Sequence, residues 1–258
     1  MQTLSIAIQK GGSGKTTTAI NLAAALQLLG ERILLIDIDP QANMTQALGF
    51  TEDIEPTMYQ LLRCVADGEE VNLNGYIKVS ASGLPLIPAS LDLAAAEMEL
   101  VSVYGRESLL AGLLPSVTPQ YDIVIIDCPP SIGILTVNAL VASDAVLMPL
   151  QAEFLPMKGL ESFMRSMKTI QVRLNRRLQL LGIVLTRYDE RKEMNQRLTK
   201  TLIERFGDKV FSTKIRTNIA LAKAQEKGLD IFKFDRRSNG AIDYAALADE
   251  LYQKLKKE

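Results

Sequence analysis

Lys10-Gly11-Gly12-Ser13-Gly14-Lys15-Thr16-Thr17 is a set of residues suited to holding phosphate. Glycines let backbone N–H groups converge on phosphate oxygens with no Cβ in the way. The N-terminus of the helix that follows the loop adds its dipole and free amides. Lys15 can reach β- and γ-phosphates, and the Thr16 hydroxyl can hold Mg²⁺. The stretch departs from G-x-x-x-x-G-K-[ST], because Gln9 stands where that pattern has its first glycine and a second lysine, Lys10, follows it. The competing reading is a glycine-rich turn with incidental Lys-Thr, which the strand–loop–helix setting disfavours.

A Mg-nucleotide site needs acids as well. "IVIIDCPPS" places Asp127 at the tip of an apolar strand, where α/β sheets carry ligand-binding groups. There it can orient Thr16 or a metal-bound water. "LLIDIDPQANMT" adds Asp37 and Asp39, which point the same way on an extended chain. Two such carboxylates are costly together unless they meet a cation or position water. Asp39 is the candidate to position water, with Asp37 in a supporting role at the metal. A capping role before Pro40 is the competing reading for one of the pair.

These residues require a particular scaffold. Thr3–Gln9, Arg32–Asp37, Tyr121–Asp127, Ala145–Leu150 and Leu180–Thr186 read as strands, with shorter ones at Ile77–Ser80 and Leu84–Pro88. Helical spacing marks Thr16–Leu29, Thr57–Ala66, Leu91–Tyr104, Glu107–Leu114, Ile134–Ala142, Leu160–Val172, Met194–Phe206, Ile219–Gln225 and Ala241–Lys254. Near-continuous apolar strands alternating with helices indicate an α/β fold, a mostly parallel sheet with helices on both faces. Neither a repeat nor a linker breaks the chain, so residues 1–258 are expected to form a single domain.

The 258 residues are 47% hydrophobic and 23% charged, ordinary for a globular protein. The absence of histidine excludes imidazole chemistry and His-ligated metals. Cys64 and Cys128 form no ligand pattern and read as reduced thiols. No signal peptide and no membrane-length apolar run are seen. The net charge of −1 conceals a split: residues 1–158 hold 7 Lys/Arg and 17 Asp/Glu, whereas residues 159–258 hold 22 and 13. Such asymmetry suggests a basic face for an anionic partner.

The lysine-flanked loop, "IDIDPQAN" and "IVIIDCPPS" together resemble the deviant Walker A ATPases of the ParA/MinD group, and most of all its short Soj-like ParA members. The likeness extends to "GIVLTRYDER", "RFGDKVFSTKI" and "GAIDYAALADEL". It implies a P-loop NTPase-type fold and an ATPase using ATP and Mg²⁺, with residues 11–17 (Gly11, Gly12, Ser13, Gly14, Lys15, Thr16 and Thr17) binding nucleotide. By the same resemblance Lys10 crosses a homodimer interface to the partner's ATP, Asp39 activates water, and Asp127 belongs to the Mg²⁺ site. It further implies non-specific DNA binding by the ATP-bound dimer, a nucleoid-associated cytoplasmic location, and an ATPase-stimulating adaptor. The cargo would be a plasmid, a chromosome origin or a protein assembly. Residues 187–237 hold 14 Lys/Arg against 8 Asp/Glu, and Lys214, Arg216, Lys223, Lys227, Arg236 and Arg237 are the candidate phosphate contacts. Ile215-Arg216-Thr217-Asn218 lacks the proline of the family's Ile-Pro-Arg-Asn, and no helix-turn-helix domain precedes the loop. The alternative is a MinD-like membrane-cycling ATPase, to which a stripe at Tyr244, Leu247, Leu251 and Leu255 before "KKE" could belong. A packed core stripe is the better reading, since it lacks terminal aromatic residues. A third reading is a metabolic relative, such as a dethiobiotin synthetase-like enzyme, or an electron-transfer one like the nitrogenase iron protein; the latter needs a cluster-binding cysteine pattern that Cys64 and Cys128 do not match.

Overall fold

Strand periodicity and helix periodicity are resolved here into layers around one sheet. The computed structural model describes residues 1–51, 53–117, 119–152 and 157–255. Among these, the strands are β1 (Gln2–Ile6), β2 (Ile33–Asp37), β3 (Lys78–Val79), β4 (Pro85–Ile87), β5 (Ile123–Asp127), β6 (Ala145–Gln151), β7 (Gln179–Tyr188) and β8 (Val210–Arg216). They form one sheet in the order β3-β4-β2-β5-β1-β6-β7-β8. Every pairing is parallel except that of β3 with β4. The helices are α1 (Lys15–Leu28), α2 (Asn43–Ala47), α3 (Met58–Ala66), α4 (Leu93–Glu99), α5 (Leu109–Leu113), α6 (Ile134–Ala142), α7 (Met157–Arg173), α8 (Glu193–Phe206), α9 (Ile219–Glu226), α10 (Ile231–Phe234) and α11 (Asn239–Leu255).

Successive strand residues feed opposite faces. Leu34, Ile36, Val124 and Ile126 enter the core under α3 to α8, and Ile33, Leu35, Ile123 and Ile125 enter the core under α1 and α9 to α11. Burial on both sides explains why these strands are apolar throughout. Helix α1 is enclosed likewise, with Ala19 to Leu26 all buried. Gly30 (φ 96°) follows its end in the left-handed conformation, the expected stop. Tyr244, Leu247 and Leu251 of α11 are at most 1% exposed and pack in the same cluster as α1, so the stripe is core packing. Its terminal residues 256–258 lie outside the described residues.

Several boundaries differ from the sequence reading. β1 stops at Ile6, and Ala7 and Ile8 remain buried while the chain turns. Leu91–Tyr104 divides into α4 and a 3₁₀ turn at Leu100–Ser102, and Glu107–Leu114 shortens to α5. Strand β8 was not anticipated, nor were the short helices α2 and α10. β8 is a polar edge strand with only Val210, Phe211 and Ile215 buried. α11 supplies acceptors along it: Glu250 receives the N–H groups of Ser212 and Thr213, each at 2.8 Å, and Asp243 receives that of Arg216 at 2.9 Å. Among the described residues no helix is long and apolar enough to cross a membrane.

Candidate nucleotide site

The chain leaves β1 at the centre of the sheet and must reverse into α1 within a few residues. Gly12 (φ 70°) and Gly14 (φ 88°) take left-handed conformations to do so, which cost side-chain-bearing residues roughly 1 kcal/mol or more. Thr186, near the end of β7, braces the turn: its hydroxyl donates to the Ser13 carbonyl at 2.8 Å. Its side chain also lies 3.6 Å from where a Cβ on Gly14 would stand. Lys15 is 7% exposed, and its Nζ donates to the Lys10 carbonyl at 3.2 Å, which folds the ammonium back over the loop. Gln225 of α9 donates to the Thr17 hydroxyl at 3.1 Å, tying a late helix to the start of α1.

Beneath the loop, the Thr16 hydroxyl donates to Asp127 Oδ2 at 2.7 Å. Asp127 pairs in register with Ile6 on one side and Asp37 on the other. It is fully buried, and Oδ1 has no hydrogen-bond partner. Burial, followed by the neighbouring Asp37 charge, raises its pKa well above the usual carboxylate range, against the pull of Thr16 and Lys15. An unsatisfied carboxylate oxygen in that position fits a cation or its bound water. Ser13 Oγ is also buried without a partner. Among the described residues no cluster of three or more His, Cys, Asp or Glu is arranged to hold a metal unaided. A cation here would therefore draw on Thr16, Asp127 and phosphate oxygens, as Mg²⁺ commonly does.

Asp37 and Asp39, aimed alike by simple alternation, have different surroundings, because β2 ends at Asp37 and the chain turns through Ala42 (φ 50°). Asp37 is fully buried, and its oxygens accept the Thr45 N–H (2.9 Å), the Thr45 hydroxyl (2.8 Å) and the Asp39 N–H (3.2 Å). Burial pushes its pKa up to about 7, and those hydrogen bonds offset only part of the rise. Asp39 faces the cleft instead, with Oδ1 accepting the Gln41 N–H at 3.0 Å. The cleft has a volume of about 330 Å³, and its walls include residues 11–17, Asp39, Pro130, Arg187 and Gln225. Lys10 begins the loop at its rim, outside that lining, half-buried. Thr45, Thr186, Arg187 and Gln225 were not read from the sequence. Thr186 and Arg187 carried one signal, their place at the end of an apolar strand.

The basic candidates lie elsewhere. Lys223 on α9, Lys227 just after it, and Arg236 and Arg237 before α11 are all exposed. The Arg216 guanidinium is engaged by Asp243 at 2.6 to 3.0 Å, and Lys214 lies 4.6 Å over the Tyr188 ring. Lys214, Arg216, Tyr188 and Arg191 line a separate recess of about 500 Å³ at the ends of β7 and β8. That recess is larger than the cleft but contains neither the glycine loop nor the buried acids.

A glycine loop after the first strand, a lysine folded over it, and a threonine bonded to a buried strand-end aspartate define a P-loop nucleotide-binding protein. The AAA domain family matches residues 1–180. The chain is 42% identical to the sporulation initiation inhibitor protein Soj of Bacillus subtilis, over 96% of this chain and 97% of that one. It is 40% identical to the chromosome partitioning protein ParA of Caulobacter vibrioides, over 98% and 95%. Its fold superposes on cobyrinic acid a,c-diamide synthase from Mycobacterium smegmatis, solved with ADP and magnesium, with a TM-score of 0.86 and 34% identity over 99% and 96% of the chains. The chain belongs to the ParA/MinD family of ATPases, in its Soj/ParA branch.

Proposed function

We propose that this chain is a Mg²⁺-dependent ATPase that dimerises with ATP, binds DNA without sequence preference as that dimer, and so partitions or positions a cargo over the nucleoid in the cytoplasm. The observation that carries the reading is the Thr16–Asp127 bond beneath the loop, with Asp127 Oδ1 unsatisfied and Asp39 facing the same cleft. Loop amides and Lys15 hold the β- and γ-phosphates. Thr16 and Asp127 would hold Mg²⁺, which would offset the phosphate charge. Asp39 orients the attacking water. Lys10 reaches across to the partner's nucleotide, which suits a side chain at the rim of its own cleft: two faces loaded with ATP need a cation between them before they can meet. Exposed cations at Lys223, Lys227, Arg236 and Arg237 supply the DNA contacts, and an adaptor stimulates hydrolysis. The synthase solved with ADP and magnesium carries the fold and a nucleotide site, and the relative named for chromosome partitioning favours that role here. The membrane-cycling alternative loses its motivation, since the α11 stripe is buried against α1. Sedimentation velocity with Mg-ATP and with Mg-ADP tests the cycle: a dimer in ATP alone is expected, and a monomer in both states would overturn the reading.

A further inference from the structure

We propose that Arg187 is the nucleobase clamp of this cleft, its guanidinium lying over the purine of the nucleotide bound in the same subunit. The proposal rests on the ATPase reading above.

The sheet order gives the cleft a direction. The loop follows β1, with β5 and β2 on one side and β6 and β7 on the other. Asp127, Asp37 and Asp39 come from the β5–β2 side, so metal and terminal phosphate lie there and the nucleoside end lies toward β7. Arg187 stands at the end of β7 directly after Thr186, which holds the loop at Ser13, and it lines the cleft together with Pro130 and Gln225.

Its backbone is left-handed, with φ 48°. The register of β7 against β8 shifts between Leu185 and Tyr188, and this irregularity turns Arg187 outward while Thr186 and Tyr188 stay buried. Arginine has no short polar side chain to ease that conformation, and glycine would adopt it freely. The residue is also available. Arg191 is held by Asp189 and Arg216 by Asp243, and Lys214 sits over Tyr188, but Arg187 has no ion-pair partner among the described residues. Phosphate charge is already met by Lys15 and the loop amides. A planar, weakly hydrated guanidinium is instead well suited to stack on a base.

Calorimetric titration of the full chain tests this, with Mg-ATP, Mg-ADP, Mg-CTP and inorganic tripolyphosphate as probes, alongside thermal melts. Arg187→Gly is expected to lose about 10-fold in affinity for ATP and ADP alike, the scale of a stacking contact. It should also narrow the preference for ATP over CTP, bind tripolyphosphate as the wild type does, and melt no lower than the wild type because glycine relieves the left-handed backbone. Arg187→Lys keeps the charge without the plane and should lose ATP affinity too. Unchanged ATP affinity in Arg187→Gly overturns the proposal, as does an equal loss for tripolyphosphate, which would make Arg187 a phosphate contact. A wild type that binds none of the probes overturns the ATPase reading and this proposal with it.

Discussion

Lys10 and Lys15 stand five residues apart on one loop, yet the structure gives them separate surroundings. Lys15 is buried over the loop, so Lys15→Ala should abolish nucleotide binding, a loss of at least about 100-fold, since it removes the main cation on the phosphates. Titration with a fluorescent ATP analogue checks this, and near-native affinity would sink the site assignment. Lys10→Ala should bind ATP normally and fail to dimerise by sedimentation. Asp39→Ala should bind ATP and dimerise while hydrolysing it at least about 10-fold more slowly, because a lost water-positioning group leaves phosphate affinity intact; native turnover would shift that role to Asp37. Asp37 also implies a pH dependence. Its carboxyl is raised to about 7 when folded, against about 4 in an unfolded chain. Between those values the folded state binds more protons, so its contribution makes stability fall as pH rises through that window. Melting of the nucleotide-free protein from pH 5 to 8 should show this fall, and Asp37→Asn should flatten it. The loop, Lys15, Asp39 and Asp127 were legible because each lies in a local pattern that chemistry constrains. Gln225 meets Thr17 from 208 positions away, and the left-handed Arg187 depends on how β7 pairs with β8. Neither leaves a trace in adjacent residues.

At the scale of elements, the central strands could be read directly because burial on both faces leaves them almost wholly apolar. Strand β8 was hidden for the opposite reason: an edge strand with one covered face keeps Ser212, Thr213 and Lys214. What makes it a strand is distant in sequence. Asp243 and Glu250 stand seven residues apart, about two turns of α11, and their carboxylates meet the strand's N–H groups. A free edge of this kind invites pairing with another chain. Glu250→Ala should therefore cost about 1 kcal/mol and Asp243→Ala about 2 kcal/mol, the larger loss leaving the Arg216 guanidinium without its acceptor. Urea melts would measure both, and light scattering should report added self-association in Glu250→Ala. If Glu250→Ala matched the wild type in stability and dispersity, these bonds would have no part in guarding the edge. Gly182 lets β7 and β8 approach: a Cβ there would come within 2.5 Å of the Lys209 carbonyl oxygen and 2.6 Å of the Phe211 ring. Since backbone would have to move, Gly182→Ala should destabilise by about 2 kcal/mol.

Over the whole molecule, charge is separated along the chain and joined to the nucleotide by α9. That helix places Gln225 on Thr17 at the loop while Lys223 and Lys227 face solvent. Arg236 and Arg237 are exposed beside the start of α11. Of the six candidate cations, Arg216 is held by Asp243 and Lys214 sits over the Tyr188 ring, so the other four set the expected footprint. Each neutralised phosphate steepens the salt dependence by about 0.9 in log–log slope. Four contacts on a monomer then predict about a 100-fold loss of affinity between 0.05 and 0.2 M salt, and eight on a dimer about a 10,000-fold loss. The dimer also begins from much tighter binding, because the contacts multiply. DNA binding should therefore require ATP, ignore sequence and fall steeply with salt, and hydrolysis should release the protein by splitting the dimer. Reversing Arg236 and Arg237 together to glutamate should weaken DNA binding at least about 10-fold at 0.1 M salt and leave hydrolysis without DNA unchanged, because neither residue lines the nucleotide cleft. A mobility-shift titration at several salt concentrations, with ATP and ADP side by side, reads all of this. Equal DNA affinity in the two nucleotide states would remove the nucleoid track from the mechanism. A halved slope with ATP would mean that only one protomer of the dimer touches the duplex.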